Sequence, residues 1–329
     1  MRKARMSKFA RTGRIGFLPA PACAVAALLL AAAPSAVRAA APPPPPLVVD
    51  ASSGFVVSAT INRRPVRLRV DPGIGFVLNP AAAERVGAGG GLLQSIFKPV
   101  AQIGPVYIEG NWRNGRVDFG GVRAGRRFYY FPRDAVEGAD GAIGMADLPH
   151  PSVTMRLRAT APGEVTHSFD VRTNPGLGLV YRHAIGETML LTHFSLMRAR
   201  TQASAAAGAV LAELHRGTWS GEAREEPIIL GVSRPLRPMR FASPLSLQGL
   251  LLSGLFVRTA DYRGNYALPT DPSSDPSEIV VTGNLRRSRA VFRLTVGADT
   301  LARCSSITYI RAQRRLTLSC DPEAFDPVG

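Results

Sequence analysis

Residues 54–70, GFVVSATINRRPVRLRV, alternate apolar and polar side chains on two arms around a polar turn at Asn62–Arg64. That period predicts a half-buried hairpin, with Val66, Leu68 and Val70 on the inner face of its second arm. The arm then runs directly into Asp71-Pro72-Gly73. A second hairpin is expected over 105–121, PVYIEGNWRNGRVDFGG, turning at Asn114-Gly115 because that dipeptide suits a type I′ turn. NPAAAERVG (79–87) predicts one short helix, with Asn79 as N-cap and Pro80 in the first turn. The stretch 187–214, ETMLLTHFSLMRARTQASAAAGAVLAEL, leans helical, and 305–319, SSITYIRAQRRLTLS, predicts two strands around a basic turn.

The pattern recurs. VRLRVDPGIGFVL (66–78) aligns without a gap on FDVRTNPGLGLVY (169–181), so that Asp71-Pro72-Gly73 lies on Asn174-Pro175-Gly176. Further on, GGVRAGRRFYYF (120–131) matches LGVSRPLRPMRF (230–241), and GADGAIGMADL (138–148) matches LQGLLLSGLFV (247–257), with Gly144 opposite Gly254. The expected architecture is mostly β: two duplicated, barrel-like lobes over 50–157 and 158–267, a linker at 268–277 and a C-terminal β segment at 278–329.

Composition changes this picture at the ends. Residues 1–40 combine a basic start, a short alanine-rich apolar run and small residues near Ala39, as expected of a cleaved secretory signal peptide. A proline-rich linker follows at 41–49. Export places the mature chain in the periplasm, with no transmembrane segment once the leader is removed. Arg2, Lys3, Arg5, Lys8, Arg11, Arg14 and Arg38 carry seven of the formal +16 net charges. The remaining arginines are scattered, which argues for a solvated basic surface and against a nucleic-acid partner. Cys304 and Cys320 bracket the last hairpin, and in an oxidising compartment such a pair predicts a structural disulfide.

RLRVDPGIGFVLNPAAAERVG and the later Ala142-Ile143-Gly144 of DGAIGMADL together resemble one lobe of a retropepsin-like or pepsin-like aspartyl protease of the exported bacterial kind. The resemblance spans 50–157 well and 164–262 faintly. It implies an interlobe cleft that takes a peptide or protein, with no cofactor. In such enzymes each lobe supplies a carboxylate, and the two share a proton because neighbouring like charges cannot both ionise. Asp71 matches one of these positions. Asn174 occupies the other by the repeat, and an amide cannot relay a proton. Pro72 and Pro175 replace the hydroxyl residues of the family's turns, lacking both hydroxyl and N–H. Gly73, Gly176, Gly144 and Gly254 are the supporting glycines. Tyr107 and Trp112 are candidate flap aromatics that either cover a bound peptide or pack their hairpin.

Three functions remain open on this reading. One is a peptide-binding pseudoprotease, and a second is an aspartic endopeptidase using Asp71 through a homodimer or another carboxylate, Asp140 or Asp170. The third is a cell-envelope interaction protein. The histidines, His150, His167, His183, His193 and His215, lack zinc-ligand spacing, so no metal is expected. His193 near Ser195 has no third partner in view, and GAGGG (87–91) suits a flexible loop.

Overall fold

A computed structural model describes residues 43–88, 98–269 and 289–323. The leader, most of the expected linker at 268–277 and most of GAGGG lie outside the described residues. The fold is mostly β, with two barrel-like lobes, as expected.

The first lobe contains β1 (Leu47–Asp50), β2 (Val56–Ile61), β3 (Arg64–Asp71), β4 (Val77–Leu78), α1 (Pro80–Arg85), β5 (Val100–Ile103), β6 (Val106–Glu109), β7 (Asn111–Phe119), β8 (Val122–Tyr130), β9 (Gly141–Gly144) and β10 (Ser152–Arg156). Strands β2-β3-β9-β4-β8-β7 close into a barrel. Alternation drives it: Val66, Leu68 and Val70 of β3 point inward beside Ile61, Val117, Phe128 and Ile143. Leu47–Val49, counted with the linker, belong to β1, which runs parallel to β10.

The second hairpin differs from expectation. Asn114-Gly115 lies within β7, paired with Arg127 and Arg126 of β8, and β7 turns only at Gly120-Gly121. The reason is packing, since a Cβ at Gly115 would come within 2.9 Å of the Phe128 ring and 3.2 Å of Ile61. The glycine makes room for a buried aromatic inside the barrel. A separate hairpin, β5–β6, turns at Gly104-Pro105. Asn79 does precede α1, but its side chain leaves the helix and bonds Val136 O, Ala139 O, Ala135 N and Val136 N.

The second lobe and the joining sheet contain β11 (Val165–Asn174), β12 (Gly178–Ile185), β13 (Thr188–Phe194), β14 (Gln202–Ser204), α2 (Ala205–His215), β15 (Gly217–Trp219), β16 (Arg224–Ile229), β17 (Val232–Leu247), β18 (Leu250–Arg258), β19 (Arg293–Val296), α3 (Ala298–Leu301), β20 (Cys304–Ile310) and β21 (Arg315–Cys320). The opening part of the stretch expected to lean helical is therefore strand. Leu190, Thr192, His193 and Phe194 of β13 are buried in a sheet, and helix begins only where the alanine run starts.

Pairing shows where the duplication lies. β3 runs parallel to β9, β4 parallel to β8 and β4 antiparallel to β9. β13 runs parallel to β19, β14 parallel to β18 and β14 antiparallel to β19. The unit is thus repeated, but β13 corresponds to β3 and β19 to β9. Asn174 ends β11, two strands before β13, and Gly254 sits within β18 opposite Arg240. Gly144 finds its counterpart in Gly297, just after β19. The C-terminal segment is accordingly integral: β19 completes the second lobe. β20 and β21 join β10 to β11 in the sheet beneath both lobes. The Cys304–Cys320 disulfide forms across the β20–β21 pair, as expected.

Candidate functional site

Asp71 ends β3 where the chain must leave the barrel, and its side chain is fully buried. Its Oδ1 accepts the Gly73 N–H at 2.8 Å. Its Oδ2 accepts the Leu196 N–H at 2.7 Å, the Met197 N–H at 3.1 Å and the Ser195 hydroxyl at 3.2 Å. Both oxygens are therefore occupied by protein donors, and three of the four come from the second lobe. Burial raises the pKa of the carboxyl, against the Gly73 N–H, the Arg198 charge, the Met197 N–H and the Ser195 hydroxyl, which lower it.

The residue facing Asp71 across the pseudo-symmetric turns is Ser195. In the first lobe Asp71 pairs with Gly144; in the second, Phe194 pairs with Val296, which puts Ser195 next to Gly297. The expected partner, Asn174, folds onto its own turn, its Oδ1 accepting the N–H groups of Gly176 and Leu177 at 3.0 Å each. Asn174 makes no hydrogen bond to Asp71, yet its turn is close by. A Cβ on Gly75 would approach the Pro175 carbonyl oxygen to 1.9 Å, and the Leu179 N–H bonds Pro72 O at 2.8 Å. Gly75 is glycine because backbone fills the place of a side chain. Pro72, with no N–H, still serves the junction through its carbonyl.

The other carboxylates considered for catalysis are elsewhere. Asp140 is held by Arg85 at 2.6 Å and the Arg67 N–H at 2.8 Å. Asp170 is exposed, 3.7 Å from Arg315. His193 does not serve Ser195 as a base: its Nε2 bonds Thr295 Oγ1 at 3.1 Å, and burial keeps its pKa well below the usual histidine value.

Above the paired turns lies a cleft of about 510 Å³. Its floor is Gly73–Val77 with Asn174–Leu177, and its roof is Pro99–Ile103 of the β5–β6 hairpin. Ile103 and Ile108 of that hairpin pack with Ile74 of the Asp71 loop and with Ile228 and Leu230 of the second lobe, so the roof bridges both. Tyr107 stands on this hairpin, exposed, with its hydroxyl taking a bond from Gln102 Nε2 at 3.0 Å. Trp112 does not belong to it. It lies on β7, its ring under the Arg127 guanidinium at 4.3 Å, because the turn expected at Asn114 is absent.

No protein-family model matches this chain, and no curated protein matches it. Among solved structures, the retroviral protease-like domain of Ddi1 from Leishmania major is similar at 23% identity and a TM-score of 0.21, over 27% of this chain and 70% of that one. EIAV protease, in complex with the inhibitor HBY-793, is similar at 19% identity and a TM-score of 0.20, over 27% of this chain and 79% of its own.

The residues the sequence reading missed are Ser195–Arg198 and the arginines of the cleft wall. A signal for Ser195 exists. Leu294-Thr295-Val296-Gly297-Ala298-Asp299 repeats the apolar, Gly, acid order of Ala142-Ile143-Gly144-Met145-Ala146-Asp147 more closely than any stretch near Gly254. The strand preceding its own turn would then be the one ending at Phe194.

Proposed function

We propose that this chain is an exported pseudoprotease that binds an extended peptide or protein segment in its interlobe cleft and does not hydrolyse it. The observation that carries this reading is the state of Asp71. A general base must hold a water with a free lone pair beside a second titratable group. Asp71 is instead fully buried, its Oδ1 taking the Gly73 N–H and its Oδ2 taking Ser195, Leu196 and Met197, and a serine stands where the second carboxylate would be. The carboxylate acts as a staple between lobes. A roofed groove with apolar floor residues Ile74, Phe76, Val77 and Leu177 suits side chains of an extended peptide.

The leader-like first 40 residues and the Cys304–Cys320 disulfide support export to the periplasm. Among the described residues no helix is long and apolar enough to cross a membrane. The test is incubation of the mature protein with a random peptide library between pH 3 and 7.5, read by mass spectrometry. Capture of intact peptides supports the reading, and new peptide termini that depend on the protein overturn it.

A further inference from the structure

Arg198, Arg258 and Arg293 all line the second-lobe wall of the cleft, beside His193, Gln202 and Thr295. Buried guanidiniums are normally matched by carboxylates or phosphates. Here Arg258 bonds Asp261 at 2.8 Å, and Arg234 reaches the same carboxylate at 3.4 Å. Arg198 donates to the Met197 carbonyl at 3.3 Å, and its acidic neighbour among the described residues is Asp71, already held by four donors. Among the described residues four arginines thus share two carboxylates. Burial, and then repulsion from Arg258 and Arg198, lowers the pKa of Arg293 to about 10, with Asp261 opposing.

Polar atoms on this wall also lack partners among the described residues. They are Arg293 Nε, His193 Nδ1 and Gln202 Oε1, and both His193 and Gln202 are more than nine-tenths buried. These atoms are themselves closed to solvent, and Gln202 Oε1 is an acceptor, so they mark a wall short of partners and do not themselves contact a carboxylate. The guanidiniums of Arg198 and Arg293, which line the cleft, form a positive, donor-rich corner at the end of an otherwise apolar floor.

We infer that this corner is a carboxylate-binding subsite, and that the cleft selects peptides carrying an acidic side chain or a free C-terminal carboxylate. The inference deepens the peptide-binding reading and rests on it. A guanidinium fork matches a carboxylate in two parallel bonds, which gives orientation as well as attraction. The apolar floor then takes the residues preceding the acid.

The test uses two random hexapeptide libraries, both N-acetylated, one amidated and one with a free C-terminus, passed over the immobilised mature protein. Retained peptides are sequenced. Retention of Asp or Glu over Asn or Gln at one position, by about 10–100-fold, is the expected result and assigns the carboxylate to a side chain. Retention confined to the free-acid library assigns it to the terminus. In either case Arg198→Gln and Arg293→Gln, checked for folding by circular dichroism, reduce the preference. Retention without any preference for acid overturns the subsite and leaves peptide binding standing. If no peptide is retained but N-acetylglutamate amide binds the wild type and not Arg293→Gln, the subsite stands and peptide binding fails. If neither binds, both are overturned.

Discussion

Asp71→Ala separates a staple from a catalyst. The substitution removes both oxygens, leaving the N–H groups of Gly73 and Leu196 without acceptors at a fully buried site, while the Met197 N–H keeps only the Ser195 Oγ at 3.2 Å. The Ser195 hydroxyl can turn, but backbone donors cannot. Each orphaned donor costs about 1–3 kcal/mol, and loss of one partner from a buried charge interaction typically costs 3–5 kcal/mol. Because the donors share one cavity that water can partly fill, the terms do not add, and a total of roughly 3–5 kcal/mol is expected. With an m-value of about 3 kcal/mol/M, the urea midpoint falls by roughly 1–1.7 M. Asp71→Asn keeps acceptance at one side and sets an amide N–H against the other donors, so it falls between wild type and alanine. Equilibrium urea unfolding followed by tryptophan fluorescence measures all three. An alanine variant within about 0.3 M of wild type would refute the staple, since a carboxylate kept only for chemistry is dispensable to the fold.

Three further outcomes follow from particular contacts. The turn of the roof hairpin leaves no room at Gly104, where a Cβ would lie 2.3 Å from Asp261 Oδ1 and 3.2 Å from Arg234 Nε. Gly104→Val therefore lifts the roof and adds backbone strain at a φ of 59°, seen as faster protease nicking within 98–110. Asp147 has its pKa raised to about 6 by burial, against Arg126 and Arg311. A raised carboxyl favours the fold below its unfolded value near 3.8 and loses that contribution as pH rises through about 6. Asp147→Asn is thus more stable than wild type at pH 7.5, by at most about 3 kcal/mol, and equal to it near pH 4, measured by thermal melts across pH. Replacing both Cys304 and Cys320 by serine opens a loop of sequence separation 16 and costs roughly 3 kcal/mol, read as a lowered urea midpoint that reductant reproduces in the wild type.

What the sequence determined by itself is the local grammar. Alternation around Val66, Leu68 and Val70 gave the β3 arm, Asn79-Pro80 marked the start of α1, and Cys304 and Cys320 gave their own pairing across a hairpin. These signals are short-range: a period of two, a proline tolerated at a first turn, and two thiols at one register position. A duplication is expected from two turns of like composition, and a duplicated unit is present, but those two turns are not its equivalent positions. Its alignment was not legible. Asn174-Pro175-Gly176 copies the letters of Asp71-Pro72-Gly73, yet the position equivalent to Asp71 is Ser195, in a segment whose alanine-rich neighbourhood looks helical. Only the parallel pairing of β13 with β19, brought together from sequence positions about a hundred residues apart, decides that equivalence. The same long-range closure turns the C-terminal segment into part of the second lobe and gathers Arg198, Arg258 and Arg293 onto one wall. No local pattern encodes that gathering, because Arg198 follows β13, Arg258 ends β18 and Arg293 begins β19, and the charge becomes concentrated only when the sheet forms.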